Sequence, residues 1–262
     1  MKKKPSKYAS KEPLANGLYD YTPEEDAIWG ELYNRQMVFL RGKACAEYFD
    51  GATQLGLTAD HVPQVGEISA RLNKISDFGV KGVAAIIPPS EFYALLADRR
   101  FPVATFLRSR EDMDYIEEPD IFHEVFGHCP LLCNKPYSNF LEKIGKLAQS
   151  LGKGYSWHLF RLFWFTVEFG MIRTNEGLRG YGAGIVSSPS EAKFACSGDA
   201  VYADADLRTM LRTPYRIDIV QPKYFVIDSF EQLNALLDQD IAVMIDRAKE
   251  LGDLPALFDS AA

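Results

Sequence analysis

Two of the four histidines, His123 and His128, lie in one short segment, Glu118 to Pro130, and their spacing restricts how the chain folds there. Histidine is the commonest metal ligand in proteins, and imidazole suits iron, zinc, copper and nickel. On a regular α-helix, side chains five residues apart point about 140° away from each other. The two can therefore share a metal only if the helix distorts or ends between them. Gly127 and Pro130 favour an ending, which predicts a metal site at a helix terminus.

A zinc hydrolase is one alternative for this segment. In the H-E-x-x-H motif, two histidines four residues apart bind zinc from one helix face, and the glutamate acts as general base. Here Glu124 follows His123, but the second histidine comes five residues after the first. The spacing disfavours the hydrolase, which stays the second hypothesis and would use Glu124 as its base.

A third ligand is expected from the apolar segment Leu159 to Met171, which contains Glu168. A buried carboxylate without a partner is costly, so Glu168 must be protonated, paired or metal-bound. Pairing with Arg161 or Arg173 is the structural alternative. With the two histidines, Glu168 would complete a two-histidine, one-carboxylate set, the arrangement of non-haem iron(II) oxygenases.

The composition describes an acidic chain of 262 residues with a net charge of −7. Nucleic acid is not expected as a partner, because no basic stripe offers contacts to phosphates. The longest apolar run is too short to span a membrane, and no secretory signal is recognisable, so we expect a cytoplasmic enzyme without membrane contact. We expect four reduced cysteines rather than disulfides: Cys45, Cys129, Cys133 and Cys196.

The hydrophobic patterns predict a mainly α fold with a small β component (α+β). We expect a flexible tail over residues 1–18 and one catalytic domain over residues 19–262. Thr22-Pro23-Glu24-Glu25 is a capping box that begins a helix predicted to run towards Tyr48. Ile217 to Ile227, interrupted by a proline, is predicted as an edge strand or strand pair. Phe230 to Leu251 is predicted as one final helix.

Three motifs in this order resemble the pterin-dependent aromatic amino acid hydroxylases, particularly their bacterial members: E-P-D-I-F-H-E-V-F-G-H-C-P, F-W-F-T-V-E-F-G and Y-G-A-G-I-V-S-S. The resemblance runs from about Tyr19 to Phe258. It implies a monooxygenase that uses iron(II), a tetrahydropterin and O2 to convert L-phenylalanine to L-tyrosine in phenylalanine catabolism. Tyrosine or tryptophan hydroxylation is the alternative within the family. We expect a monomer, or at most a dimer.

The resemblance also implies roles for individual residues. It assigns the metal to His123, His128 and Glu168. Ligating histidines usually donate their other N–H to a carboxylate or carbonyl, and Asp120 and Glu124 are the candidates, with a surface or helix-capping acid as the alternative for each. It assigns the pterin to Val83, Ala85, Ile87, Phe92 and Glu124, with Phe92 as the stacking ring. The guanidinium fork of Arg108 suits the substrate carboxylate, although a surface ion pair with Asp112 or Asp114 is the alternative. The substrate slot is expected to be lined by Pro119, Trp164, Phe169, Gly184, Ser187 and Glu191.

The sequence departs from the animal members of this family at three positions. Phe163 stands where many have tyrosine, Phe160 where they have alanine, and Ile116 where they have threonine. The first two changes alter the expected contacts to the pterin side chain. The third removes one polar group from the expected substrate slot.

Overall fold

The computed structural model describes residues 7–84, 87–116 and 118–259. Helices dominate this part of the chain, and short strands form two small sheets, which confirms the predicted fold class. The α-helices are α1 (Pro23–Phe39), α2 (Ala46–Gln54), α3 (Val65–Ser76), α4 (Pro89–Ala97), α5 (Cys129–Leu132), α6 (Lys135–Leu151), α7 (Ser156–Phe163), α8 (Ala183–Val186), α9 (Pro189–Ala195), α10 (Leu207–Met210), α11 (Phe230–Leu236) and α12 (Ile241–Leu251). A 3-10 turn (Arg110–Asp112) and two π-helical segments, π1 (Phe122–His128) and π2 (Trp164–Glu168), complete the helices.

The two sheets flank the segments that carry the candidate metal ligands. The strands are β1 (Gly79–Val83), β2 (Arg100–Ala104), β3 (Gly170–Thr174), β4 (Gly177–Gly180), β5 (Val201–Asp204) and β6 (Lys223–Ile227). β1 and β2 pair in parallel with α4 between them, and the second sheet has the order β4-β3-β6-β5. Because π2 runs almost directly into β3, the Glu168 segment is anchored at one end by a sheet.

Several predicted element boundaries change in the structure. The capping box at Thr22 is confirmed, but α1 ends at Phe39 instead of continuing to Tyr48. Gly42, with a φ of 71°, lies in the turn that follows. The prediction of an edge strand within residues 217–227 is wrong, because β6 is an inner strand between β3 and β5. The single final helix is also wrong, because residues 237–240 separate α11 from α12.

The described part of the expected tail, residues 7–18, has no helix or strand but contacts the folded body. The Tyr8 ring stacks on Phe106 with centroids 4.8 Å apart. Thr105 donates a hydrogen bond of 2.8 Å to the carbonyl oxygen of Lys11. The Ser10 hydroxyl donates to the carbonyl oxygen of Val83 at 3.3 Å. Tail flexibility and the domain boundary at residue 19 stay predictions.

The hydrophobic core is one connected cluster that extends from Ile28 to Ala248 in the chain. This continuity supports the prediction of one catalytic domain. None of the helices in the described ranges combines the length and apolar character that crossing a membrane requires.

Aromatic rings of the hydrophobic core pack against the side of π1 that carries Phe122 and Phe126. Phe122 and Phe126 stack on each other with centroids 4.6 Å apart. Trp29 of α1 contacts Phe122 edge-on, and Tyr48 of α2 contacts Phe126 in the same way. The Tyr48 hydroxyl also donates to the carbonyl oxygen of Phe126 at 2.9 Å. Each aromatic pair contributes roughly 0.5–1.5 kcal/mol beyond area burial, so this packing stabilises the unusual winding of the segment.

Helix α2 lies against the turn that follows His128, and Gly51 permits the close approach. A Cβ added to Gly51 would overlap the carbonyl oxygen of Pro130. This overlap involves rigid backbone on both sides, so a larger residue would have to separate α2 from α5.

We expect Gly51→Ala to reduce the free energy of unfolding by about 1–3 kcal/mol, the typical cost of overpacking. Urea denaturation monitored by circular dichroism measures the change. Gly66→Ala is the matched control, because a Cβ on this α3 glycine meets nothing within 4 Å. The control should gain about 0.5–1 kcal/mol from the better helix propensity of alanine. Equal stability of the two variants would contradict close packing at Gly51.

Candidate metal centre

The winding of π1 brings the two histidines together. A π-helix closes hydrogen bonds between residues five apart, so His123 and His128 are one turn apart on the same face. Their ring centroids lie 5.0 Å from each other. The predicted distortion is therefore present, but the predicted helix ending is not, since α5 continues directly from π1.

Glu168 lies at the end of the second π-helical segment and faces both histidines. Its Oε1 is 3.2 Å from Nε2 of His128, and its Oε2 is 3.5 Å from Nε2 of His123. One ligand atom from each of the three residues fits within 4.8 Å of the others. Arg161 and Arg173, the alternative partners of Glu168, pair instead with Asp253, Asp204 and Asp228. The structure therefore brings the three candidate ligands together.

Ser187 determines which nitrogen of His123 faces the centre. The Ser187 hydroxyl donates to the carbonyl oxygen of Ala183 at 2.7 Å and lies 2.9 Å from Nδ1 of His123. Because its proton goes to Ala183, the hydroxyl oxygen accepts the Nδ1–H of His123. Nε2 then faces Glu168 and is the nitrogen left to bind a metal. Ser187, predicted to line the substrate slot, thus contacts Nδ1 of the candidate ligand His123.

The surroundings of His128 are mainly apolar. Its ring packs on Phe101 of β2 with centroids 4.5 Å apart, and its side chain is almost fully buried. Among the described residues, nothing accepts a hydrogen bond from its buried Nδ1. Nε2 of His128 lies 3.2 Å from the carboxylate of Glu168 and 3.9 Å from that of Glu124.

The ionisation states of the three candidate ligands favour the binding of a cation. Burial opposes ionisation of Glu168, but the two histidines outweigh it and hold the pKa of Glu168 well below its usual range. Burial lowers the pKa of His128, because it opposes protonation of the imidazole. For His123 burial opposes charging, but the contact with Glu168 raises its pKa above the ordinary value. A divalent cation would replace the proton shared by these groups.

Arg108 is buried and its fork is directed at Asp120, not at Asp112 or Asp114. Nε and Nη2 of Arg108 donate to the two carboxylate oxygens of Asp120 at 2.8 and 2.7 Å. Asp120 also accepts the backbone N–H of His123 at 3.1 Å. Burial opposes the charge of Asp120, but Arg108 holds the pKa of this carboxyl below its ordinary value. Asp120 therefore supports the histidine segment through its backbone and fixes Arg108 beside it.

Two of the predicted pterin residues, Phe92 and Glu124, lie near His128. Phe92 of α4 is half-buried and contacts Phe163 edge-on at 5.2 Å, and Phe163 lies 6.3 Å from the His128 ring. Glu124 is 3.9 Å from Nε2 of His128, and burial raises its pKa to about 8, which favours its neutral form. Val83 and Ile87 are half-buried. Ala85 lies outside the described residues.

The predicted substrate slot is built around Trp164, Phe169 and Gly184. The Trp164 and Phe169 rings lie 4.6 Å apart, and a Cβ on Gly184 would come within 2.6 Å of the Phe169 ring. Gly184 is thus required for Phe169 to lie flat against α8. Pro119 is half-buried beside Asp120 in sequence.

Glu191 is linked to the slot residue Trp164 only indirectly, through Gln221. The sequence analysis did not predict Gln221 as a site residue. Its carboxylate accepts the Tyr224 hydroxyl at 2.6 Å and the backbone N–H of Gln221 at 3.0 Å. Gln221 in turn accepts the indole N–H of Trp164 at 3.1 Å. Burial raises the pKa of Glu191 to about 7. No sequence signal near Gln221 or Trp164 links positions so far apart.

Comparison with known proteins identifies the class. Residues 2–251 match the family of biopterin-dependent aromatic amino acid hydroxylases. The chain belongs to this family, whose members are non-haem iron monooxygenases that use a tetrahydropterin as cosubstrate.

The relatives include bacterial proteins named phenylalanine-4-hydroxylase. The chain is 42% identical to that of Pseudomonas aeruginosa over 255 residues, covering 97% of both chains. It is 41% identical to that of Vibrio cholerae, covering 97% of this chain and 88% of the relative. The solved structure of the cold-active phenylalanine hydroxylase from Colwellia psychrerythraea matches with a TM-score of 0.92 and 43% identity, over 95% of this chain and 97% of that one.

The residues present fit the iron that this family uses. Two imidazole nitrogens and one carboxylate oxygen on a single face form the donor set of non-haem iron(II) enzymes and leave other coordination positions open. The hydrogen bond between Nδ1 of His123 and Ser187 also leaves Nε2 as the nitrogen that can bind the metal. The three ligands stay a prediction that the following substitution tests.

We expect Glu168→Gln to lose iron, because the amide keeps the size but removes the charge that balances a divalent cation. The affinity for iron should fall by more than the roughly 10–100-fold that is typical when a residue hydrogen-bonded to a metal ligand is lost. Iron stoichiometry after gel filtration measures the loss. Glu191→Gln is the matched control, since it changes another buried glutamate that does not face the histidines, and it should retain iron. Full iron content in Glu168→Gln would remove this residue from the ligand set.

Proposed function

We propose that this chain is a phenylalanine 4-monooxygenase that converts L-phenylalanine to L-tyrosine with O2 and a reduced pterin. The observation that carries the proposal is the convergence of His123, His128 and Glu168 beside an aromatic slot. The bacterial relatives named for phenylalanine hydroxylation cover nearly the whole chain and support this substrate over tyrosine or tryptophan. The zinc hydrolase hypothesis has no support from these relatives.

Iron bound by the three ligands would supply, with the pterin, the activation of oxygen for transfer to the ring. The protein binds, orients and encloses the reactants. The Trp164 and Phe169 rings offer an apolar wall for the substrate ring, and Phe101 and Phe163 exclude water around His128. Exclusion of water favours oxygen transfer to carbon over wasteful side reactions.

Phe92 and Glu124 are proposed to hold the pterin on the opposite side of the centre. The half-buried Phe92 ring is fixed by edge contacts to Tyr93 and Phe163, which leaves a face available for stacking. Glu124 lies 3.9 Å from Nε2 of His128, and its neutral form can donate as well as accept a hydrogen bond. It is therefore suited to the polar edge of a pterin ring.

Arg108 is proposed to bind the substrate carboxylate. Asp120 engages Nε and Nη2, so the carboxylate would meet the remaining Nη1 group. The Arg108 guanidinium also lies over the Phe122 ring at 5.4 Å, which restricts its orientation further. The ion pair therefore holds the arginine in a fixed position before substrate arrives, which reduces the entropy lost on binding.

A cytoplasmic location and a monomeric or dimeric state stay predictions from the sequence. The small molecules implied by the family, an amino acid, O2 and a reduced pterin, are the partners on which the proposed function depends.

The direct test measures tyrosine formed from phenylalanine by the iron(II)-loaded chain with tetrahydropterin and O2. Parallel assays with tyrosine and tryptophan test the two alternatives within the family, and we expect phenylalanine to give the highest kcat/KM. Preferred turnover of either alternative amino acid would overturn the substrate assignment and leave the family membership intact.

We expect Arg108→Lys to weaken phenylalanine binding while iron content stays normal. The ammonium keeps the charge but cannot bind both oxygens of Asp120 and also present an Nη1 group to the substrate. A charge-assisted hydrogen bond contributes about 1.5–3 kcal/mol, so loss of the Nη1 contact should raise KM roughly 10–100-fold. Steady-state kinetics and iron analysis measure the two effects separately.

Arg110→Lys provides the matched control, because Arg110 is half-exposed and pairs with Glu31 at the surface. Its KM should not change. Simultaneous loss of iron and activity in Arg108→Lys would indicate that Arg108 stabilises the histidine segment through Asp120 and does not bind substrate.

A further inference from the structure

A column of stacked aromatic rings leads from the candidate substrate slot to the protein surface. Trp164 stacks on Tyr215 with centroids 4.7 Å apart and planes inclined by 28°. Tyr215 stacks on Trp157 with centroids 5.6 Å apart and planes inclined by 19°. Trp164 is half-buried next to Phe169, whereas Trp157 is 57% exposed. The three rings therefore connect the metal centre's neighbourhood to solvent.

The types of ring in this column suggest more than packing. Indole and phenol rings can each lose one electron under conditions in which a phenylalanine ring does not. Trp164 begins the π2 segment that ends with the candidate ligand Glu168, so an oxidisable ring lies four residues before that ligand in the same segment. At the other end, an exposed indole leaves apolar surface in water, which does not favour folding. Phenylalanine or a smaller residue would meet a packing requirement at all three positions.

The hydrogen bond of Trp164 suits electron loss. Its indole N–H donates to the amide oxygen of Gln221. That amide is fixed, because its NH2 group donates to the carbonyl oxygens of Arg216 and Ile219 at 2.8 and 2.9 Å. An amide oxygen is too weak a base to take the indole proton. An oxidised Trp164 would therefore keep its proton and remain a strong oxidant towards Tyr215, the next ring.

We propose that Trp164, Tyr215 and Trp157 form a redox relay that carries oxidising equivalents from the metal centre to the surface when oxygen activation is not followed by hydroxylation. The relay rests on the proposed function, which supplies the oxidant. It would protect the metal ligands and the slot from self-oxidation.

Each passage of the relay moves one electron inwards. The oxidant at the centre gains one electron and one proton from solvent. Trp164 recovers its electron from Tyr215, which releases its hydroxyl proton and regains a proton when Trp157 supplies the next electron. Trp157 is restored by a thiol in solution, which loses one electron and one proton. The two thiyl radicals formed in two passages combine to form a disulfide, so two passages consume two thiols.

The relay can be tested without iron or turnover. We would load the full chain with Zn²⁺, which has no redox chemistry, and oxidise its indoles with azide radicals by pulse radiolysis. Trp157 is the exposed target, while Trp29 is fully buried. Because Trp157 and Tyr215 must exchange an electron reversibly in the relay, the indolyl absorbance should convert in part to tyrosyl absorbance, in a step whose rate does not depend on protein concentration.

Tyr215→Phe should abolish this step, because the ring stays but cannot be oxidised. The matched control is Tyr202→Phe, which removes a half-buried tyrosine hydroxyl from β5, outside the column, and should leave the step unchanged. The melting temperature of each variant verifies that packing is preserved. Persistence of the step in Tyr215→Phe would overturn the relay.

A second measurement locates damage during uncoupled turnover. The iron(II)-loaded enzyme is incubated with tetrahydropterin and O2 but no amino acid, and oxidised residues are mapped by peptide mass spectrometry. In the wild-type chain, oxidation should fall on Trp157 and be suppressed by added thiol. In Tyr215→Phe, oxidation should move to Trp164 and resist thiol. An identical damage pattern in both proteins would contradict the relay.

The two measurements separate the relay from the proposed function. If phenylalanine is not hydroxylated, the zinc-loaded chain still decides whether Trp157 and Tyr215 exchange electrons. If phenylalanine is hydroxylated but Tyr215→Phe behaves like the wild type in both measurements, the relay is wrong and the proposed function stands.

Discussion

An ionised carboxylate enclosed by aromatic side chains is the constraint on which the rest of this structure depends. Burying Glu168 is costly unless partners compensate its charge, and His123 and His128 are the groups that face it. The segment that carries both histidines could not direct them to one point with regular helical winding. Two π-helical turns, one on each side of the centre, place the three side chains on a common point. The surrounding packing in turn maintains those two turns.

The sequence predicts the fold class, the capping box at Thr22 and the three residues that converge. It does not predict how they converge. A spacing of five residues shows that a regular α-helix cannot serve, but Gly127 and Pro130 suggested an ending where the structure has a wider turn. The turn is stabilised by contacts of Phe122 and Phe126 with Trp29 and Tyr48, which lie more than 70 positions earlier. Local sequence carries no signal for contacts at that distance.

The partners of the site residues were harder to predict than the residues themselves. Arg108 was predicted to bind the substrate carboxylate, with an ion pair to Asp112 or Asp114 as the alternative. Its partner in the structure is Asp120, the acid that also accepts the backbone N–H of His123. Ser187 and Gln221 each accept a ring N–H from a residue more than 50 positions away. A hydroxyl or amide has too many available partners for composition or spacing to select one. Such contacts follow only from the three-dimensional arrangement.

The ligand arrangement also links metal supply to the survival of the chain. His128 and Glu168 are 40 positions apart in the sequence, so a cation bound between them closes a loop that the unfolded chain leaves open. A ligand that binds only the folded state stabilises it by about 2.7 kcal/mol when present at 100 times its dissociation constant. Cellular proteases act on the unfolded fraction, which would rise roughly 100-fold without that contribution. Scarcity of iron would then lower the abundance of the enzyme as well as its activity.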